Sequence, residues 1–487
     1  MKLSQTDATG GAYLALDQGG HGSRAFLFAE HGGLLAQAHT SIATQRSGAD
    51  RVEHDAQEVA DSLATAAGQA LQCAVEAGFT GEILAAGLAT QRSSIVCWDR
   101  VSRRALSPVL SWQDRRAAGS LASLAPRAEE IRALSGLPLS PHYGASKMRW
   151  CVENLPAVKR AATQGRLRVG PLASFLAASL STADAVQDIA DPANASRTQL
   201  LDLACADWSP VLLEAFGIER DWLPAVGGTR ALHGYLKLPG RRTPLQVVTG
   251  DQSAVPFAWE APRESDIYLN IGTGAFIQRC VGARARAAPP LLSSVLRIDA
   301  QASMFSLEGT VNGAASALEQ FAAQHATDVA ALWGALGTQA DVRVGGVHFL
   351  NGVAGLGSPW WRSDFRSEFV GSGALLERFV AVLESITFLI RANYELLERV
   401  GAPARVIVTG GLANSDWLCQ RLASVLSLPL TRPVEIEATV LGVLGLLAAR
   451  RPGAVSLQAG RSFAPLADAA LQTRYREWRA LMDAAAR

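Results

Sequence analysis

Two aspartates stand where apolar runs end in small, flexible residues: Asp17 in "YLALDQGGHGSRAFLF" (residues 13–28) and Asp251 in "LQVVTGDQSAVPFAW" (residues 245–259). Glycines after the first acid let backbone N–H groups turn toward an anion, so Gly19 and Gly20 can form a concave phosphate cradle. Asp17 would then face a phosphate-bound magnesium through water, since that ion keeps much of its hydration shell. The plain alternative is a β-hairpin turn, for which glycine-rich sequence is ordinary. A second turn, "NIGTGAFI", places Gly272, Thr273 and Gly274 after another apolar run and adds a hydroxyl donor. In "ARVIVTGGLANSDWLCQRLASVL" a buried-type strand runs into Gly410 and Gly411 and then a helix, a setting in which a nucleotide approaches backbone closely. Any one of these loops reads as structural. Three together, with an acid at two strand ends, point to a nucleotide site.

The elements that must hold these loops alternate in type. Ala/Leu-rich helical runs such as "HDAQEVADSLATAAGQALQCAVEAG" precede β-patterned runs such as "ILAAGLAT", which predicts an α/β architecture. Asp55 is placed to cap the first of these helices, with Glu53 and His54 just before it. The stretches at residues 13–28 and 267–280 share one design, strand, glycine turn, strand, half a chain apart, so two similarly built halves are expected. The Pro/Gly/Arg stretch "LKLPGRRTPLQ" is the linker candidate, which sets a boundary between residues 1–248 and 249–487.

Composition narrows the partners. A chain of 487 residues exceeds what one core usually holds. With 45 basic against 44 acidic residues it carries no electrostatic footprint for nucleic acid or an acidic membrane surface, so a small-molecule partner is expected. The six cysteines are scattered without CxxC spacing, which signals neither a zinc site nor a disulfide framework. The start "MKLSQTDATGG" lacks the apolar segment of a signal peptide, and "VLGVLGLLAA" is far shorter than the roughly 20 residues of a membrane span. A cytoplasmic location is the expectation.

These residues resemble the FGGY carbohydrate kinases, of the actin, sugar kinase and Hsp70 superfamily, and within them the glycerol-kinase-like branch. The resemblance runs nearly end to end, through "LALDQGGHGSRAFLF", "RVEHDAQEV", "TQRSSIVCWD", "LSWQDRR", "DPANASRTQLLDL", "GDQSAVPFAW", "NIGTGAFI", "SLEGTV", "GLGSPWW", "LESITFLIR" and "VTGGLANSDWLCQRLASVL". It implies two actin-like (ribonuclease H-like) domains with a cleft between them, ATP on one side and a small polyol or sugar on the other. On this resemblance Asp251 is the general base for the attacking hydroxyl, and Gln252 contacts the same substrate. Asp17 holds Mg2+; Gly19, Gly20, His21 and Arg24 form the first phosphate loop; Gly272 and Thr273 meet phosphate; and Gly410, Gly411 and Asn414 line the adenosine pocket. Arg92, Ser93, Trp112, His142 and Phe276 fall at polyol positions. Outside the family, Asp251 reads as a helix cap and Trp112 and Phe276 as core aromatics. Arg115 and Arg116 are expected in salt bridges or packing near the cleft. A homodimer is in keeping with such relatives.

Two departures stand out. Glycerol kinases carry Arg-Glu where this chain has Arg92 and Ser93, and a tyrosine where "SPHYGASK" places His142, with Tyr143 one residue on as the other candidate. Losing a charged acceptor at a buried hydroxyl contact costs about 1–3 kcal/mol, so a larger polyol or a ketose is expected over glycerol. The first loop reads "DQGGHGSR" where the family has "DxGTTSxR". Gly20 offers only its N–H there, and the His21 imidazole either donates to phosphate or points to solvent. The expectation is an ATP-dependent kinase of a small polyol or sugar; the alternative is a sugar-binding pseudokinase whose first loop has lost productive phosphate binding.

Overall fold

The computed structural model describes residues 8–48, 50–182, 187–338, 345–434, 437–448 and 460–487. Its opening strand, Ala12–Gln18, is buried along nearly its whole length, with Leu14 and Leu16 on one face of a sheet and Ala15 on the other. Alternation with apolar residues on both faces marks a central strand covered on each side. The strand turns at Gly19–Gly22 into Gly22–Ala29, its antiparallel neighbour, so the first glycine loop is a tight hairpin, closed by Gly19 N–H donating to Gly22 O (3.0 Å).

Helix Ala56–Glu76 carries the chain back across this sheet. Asp55 caps it, accepting from Gln57 N and Glu58 N, while Val59, Leu63, Ala66, Ala70 and Ala74 form the helical stripe that meets the sheet. Glu53 and His54 end the preceding strand Arg51–His54. Strand Ile83–Thr90 then lies parallel to the opening strand, and Arg241–Gly250 lies parallel to it on the far side. Gln18, Thr90 and Gly250 share one row, so three adjacent strands end together at one edge. Carboxyl ends of parallel strands are where open α/β sheets bind ligands.

The proposed linker stretch is part of this sheet. Arg230–Leu238 and Arg241–Gly250 pair as an antiparallel hairpin with Leu238 opposite Arg241, so Pro239 and Gly240 make a turn within the first half. Proline and glycine serve hairpin turns and exposed linkers alike, and composition does not separate the two. The chain leaves the sheet at Gly250, through the short helix Asp251–Ala254 and the turn Val255–Phe257.

The second half repeats the plan in a seven-stranded sheet. Asp266–Ile271 and Ala275–Cys280 form its hairpin, and Asp266–Ile271 runs parallel to Arg405–Thr409, as Ala12–Gln18 does to Ile83–Thr90. A smaller sheet of the first half includes Ile95–Asp99, Val109–Leu110 and Leu167–Pro171, and packs with helix Gly144–Asn154.

The two halves share their cores. One apolar cluster joins Ile95, Val169 and Leu200 of the first half to Leu269, Val295 and Leu307 of the second. Another sets Val440, Leu441 and Val443 of helix Ala438–Leu447 against Ala15, Phe26, Ala85 and Val247 of the first sheet. Among the described residues no helix is long and apolar enough to cross a membrane.

Candidate active site

The row of strand ends brings the candidate base to a guanidinium. Asp251 begins the helix directly after Gly250, and its Oδ1 accepts from Gln252 N at 2.7 Å. Arg92, two residues beyond Thr90, places its Nε 3.6 Å from the same Oδ1. Burial pushes the Asp251 carboxyl up to about 6 against the pull of Arg92, with the like charges of Asp17 and Glu308 adding to the rise. A carboxylate of that proton affinity is ionised at neutral pH and still a competent base.

Arg92 is fixed from the other half of the molecule. Its Nη1 and Nη2 donate to Glu308 Oε1 (2.7 Å) and Oε2 (3.1 Å), a bidentate pair, and Arg197 Nη2 donates to Oε2 as well as to Ser294 Oγ (2.6 Å). Glu308 is 1% exposed on strand Ser303–Val311. Burial alone would raise its carboxyl, but Arg197 and Arg92 overcome this and hold it at about 2. Ser93 Oγ, Gln252 Oε1 and Arg197 Nε, beside this network, are buried with no partner among the described residues. A buried polar atom without a partner calls for an explanation, and a ligand that completes it is one.

Trp112, His142 and the Arg92–Ser93 loop come together on the first half. The Trp112 and His142 rings lie 5.6 Å apart, and Trp112 N donates to Ser94 Oγ (3.0 Å). His142 is partly exposed, whereas Tyr143 is buried against Leu137 and Leu292, so His142 is the residue beside Trp112. Burial and the cations Arg115, Lys147, Arg197 and Arg92 hold the His142 imidazole well below its ordinary range, leaving it neutral. Arg116 makes the expected salt bridges, to Asp114 and Glu53, whereas Arg115 donates to the backbone carbonyl of Trp112. Phe276 is partly exposed on the second sheet, two residues from Gln278, whose Nε2 donates to Gln252 O (2.8 Å). Residues two apart share a strand face, which turns Phe276 toward the Asp251 turn.

The nucleotide-side candidates divide. Arg24, Gly410 and Gly411 line one cavity of about 210 Å³ together with Asn270 and Glu437. Gly410 has φ +91°, and a Cβ there would come within 2.5 Å of Ile271 O, so only glycine keeps this wall. Asp17 and Arg24 face each other across the hairpin; Arg24 Nε and Nη2 both donate to Asp17 Oδ2 (3.0 and 2.5 Å), and Nη1 reaches Glu437. Burial raises the Asp17 carboxyl against the pull of Arg24. Gly19, Gly20, His21, Gly272, Thr273 and Asn414 are not part of that wall. His21 is exposed at the hairpin tip, where its carbonyl accepts from Ile42 N. Thr273 is exposed, its carbonyl accepting from Ala314 N and Ser316 Oγ at the start of helix Ala315–Gln324. Asn414 is exposed at the end of the short helix Gly411–Asn414. A larger groove of about 370 Å³, lined by Thr80–Ile83 and 241–243, holds none of the candidates.

Sequence models settle the family. That for the N-terminal domain of the FGGY family of carbohydrate kinases matches residues 12–257, and that for its C-terminal domain matches 267–450. The chain belongs to the FGGY family of carbohydrate kinases. This FGGY chain is 30% identical to a glycerol kinase of Alcanivorax borkumensis over 97% of both chains, and 33% identical to one of Rhodospirillum centenum over 90% of this chain and 89% of that one. Its fold is similar to that of Plasmodium falciparum glycerol kinase with ADP, at a TM-score of 0.89, 19% identity and 98% coverage of each chain. A xylulose kinase from Rhodospirillum rubrum gives 0.83 at 20% identity, covering 97% of this chain and 98% of that one. The protein is an ATP-dependent carbohydrate kinase with the two-domain FGGY fold.

Four residues of this FGGY site carry no role in the sequence reading: Glu308, Arg197, Lys147 and Glu437. Glu308 sits in "SLEGTV", where a lone charge within a buried strand pattern is a usable signal, because an unpaired buried charge is untenable; Arg197, in "NASRT", ends the short helix Pro192–Ser196 and gives no such pattern. Lys147 and Glu437 meet their partners only through tertiary contact.

Proposed function

We propose that this kinase transfers the γ-phosphoryl group of ATP to a hydroxyl of a small polyol or sugar, such as glycerol, a tetritol, a pentitol or a ketopentose, with Asp251 as general base. The observation that carries this reading is the row of strand ends that sets Asp251 against Arg92, with Asp17 ending the neighbouring strand. Asp251 takes the proton of the attacking hydroxyl, while Arg92, clamped by Glu308, orients the acceptor with Trp112, His142, Gln252 and Phe276 around it. The Ser93 side chain leaves this pocket without the acid found in glycerol kinases, which favours acceptors longer than glycerol.

The residues fit the nucleotide and its metal. The cavity beside Gly410, whose backbone packs too close to Ile271 to admit any side chain, suits a nucleotide, with Arg24 on its phosphate side. Asp17 supplies a hard oxygen, and both Arg24 contacts use its Oδ2, which leaves Oδ1 for a cation. Magnesium, when bound, neutralises charge on the transferring group. Arg24 Nη1, which is held by Glu437, is the donor that would have to turn to reach a phosphate.

A coupled ADP-release assay over glycerol, erythritol, xylitol, ribitol, arabitol, xylulose and ribulose tests this function, with Asp251→Asn as the blank. Turnover with at least one compound, reduced at least a thousandfold in the blank, is the expected result. Silence across the panel despite thermal stabilisation by a sugar favours the pseudokinase.

A further inference from the structure

Lys147 lies in helix Gly144–Asn154 with no accessible surface. Its ammonium donates to three backbone carbonyls, Ser93 O (2.9 Å), Ser111 O (2.9 Å) and His142 O (2.7 Å). An ammonium has three N–H groups and accepts nothing, so its donors are all used and none remains for a ligand. Burial and the neighbouring cations Arg115 and Arg116 push the Lys147 amine well below the ordinary lysine range, against the pull of Asp114, which is itself held by Arg116 through Nε and Nη2; the three carbonyl acceptors are what favour the protonated form. A buried cation satisfied by carbonyls alone is a costly device in a fold.

The three carbonyls belong to three separate loops. Ser93 follows Arg92 and has φ +66°; Ser111 precedes Trp112; and His142 is itself a candidate acceptor-side residue. We propose that Lys147 is the positioning residue of the acceptor side: one ammonium fixes these three loops against one another and so sets the mutual placement of Arg92, Trp112 and His142. The inference rests on the proposed function, which places the acceptor among those residues. Lys147 acts through the backbone, and the nucleotide wall at Gly410 and Gly411 receives nothing from it.

The test compares Lys147→Gln, which keeps two donors, and Lys147→Met, which keeps none, with the parent enzyme. Acceptor KM is read in the ADP-release assay with the panel compound the parent turns over fastest, and ADP affinity by titration calorimetry. The expected result is an acceptor KM raised at least tenfold in Lys147→Gln and further in Lys147→Met, with ADP affinity within twofold of the parent. Hydrogen exchange at amides of the 93–94, 111–112 and 142–143 loops rises together in both variants. A folded Lys147→Gln enzyme whose acceptor KM stays within threefold overturns the proposal, as does ADP affinity falling in step with acceptor affinity. If Lys147→Met does not fold, Lys147→Gln decides on the same criteria; failure of both to fold marks a general core residue and also overturns it. A parent enzyme silent across the panel removes the proposed function and this inference with it, whereas an active parent with an indifferent Lys147→Gln removes the inference alone.

Discussion

Gly250 lies against the stem of Arg92: a Cβ at Gly250 would stand 2.6 Å from both Cγ and Cδ of that arginine. The guanidinium beyond is clamped by Glu308, so the stem has no slack to move aside. Gly250→Ala is expected to shift Arg92 away from Asp251, lowering kcat/KM about 10- to 100-fold and stability by about 1–3 kcal/mol, typical of overpacking. Steady-state kinetics and urea unfolding check both. An alanine enzyme of full activity would show that the position of Arg92 is unimportant.

Asp251 carries the pH dependence. As the proposed general base it works ionised, so kcat/KM should climb with pH through an acid limb near 6. Stability runs the other way, because the folded carboxyl binds its proton more tightly than the unfolded one. Between the ordinary aspartate value near 4 and the folded value near 6, stability falls as pH rises, and the cost persists above 6. Asp251→Asn should therefore be more stable than the parent by about 1–3 kcal/mol at pH 8 and no more stable at pH 4. Thermal unfolding at the two pH values reads this directly.

Glu308 has the opposite sign. Its folded value lies below the unfolded one, so its contribution is complete above about pH 4.5 and is lost as pH falls toward 2. Glu308→Gln leaves Arg92 and Arg197 buried without their shared anion, and a loss of about 3–5 kcal/mol is expected at pH 7. Chemical denaturation at pH 7 measures it; a loss under about 1 kcal/mol would mean the guanidinium groups find other partners.

His21 decides between the two roles left open for it. The ring is exposed at the hairpin tip, outside the cavity wall shared by Arg24 and Gly410. His21→Ala should leave KM for ATP within threefold. A larger loss would place the imidazole on phosphate.

Sequence patterns expose the backbone of this site more readily than its charges. Strand ends and glycine turns are local, so Asp17, Asp251 and Gly410 stand out from chemistry within a few residues. The repeated hairpin is equally legible, because each copy carries its own glycines and apolar runs. Arg92 and Glu308 are 216 residues apart, and Lys147 reaches Ser93 across 54, so their pairing depends on how the sheets pack. The choice between His142 and Tyr143 is of the same kind: adjacent aromatic residues differ only in which one Leu137 and Leu292 bury. At residues 236–246 a turn and a linker have the same composition, and the sheet register alone separates them.

Helix Ala438–Leu447 covers the face of the first sheet formed by Ala15, Phe26, Ala85 and Val247. The match boundaries near residues 257 and 267 therefore do not mark a place to cut. A fragment ending there would present that bare apolar face to water and recruit other chains, and chimeras joining halves from different relatives would have to carry this helix with the sheet it fits. The second half thus acts as a built-in cover on the hydrophobic face of the first.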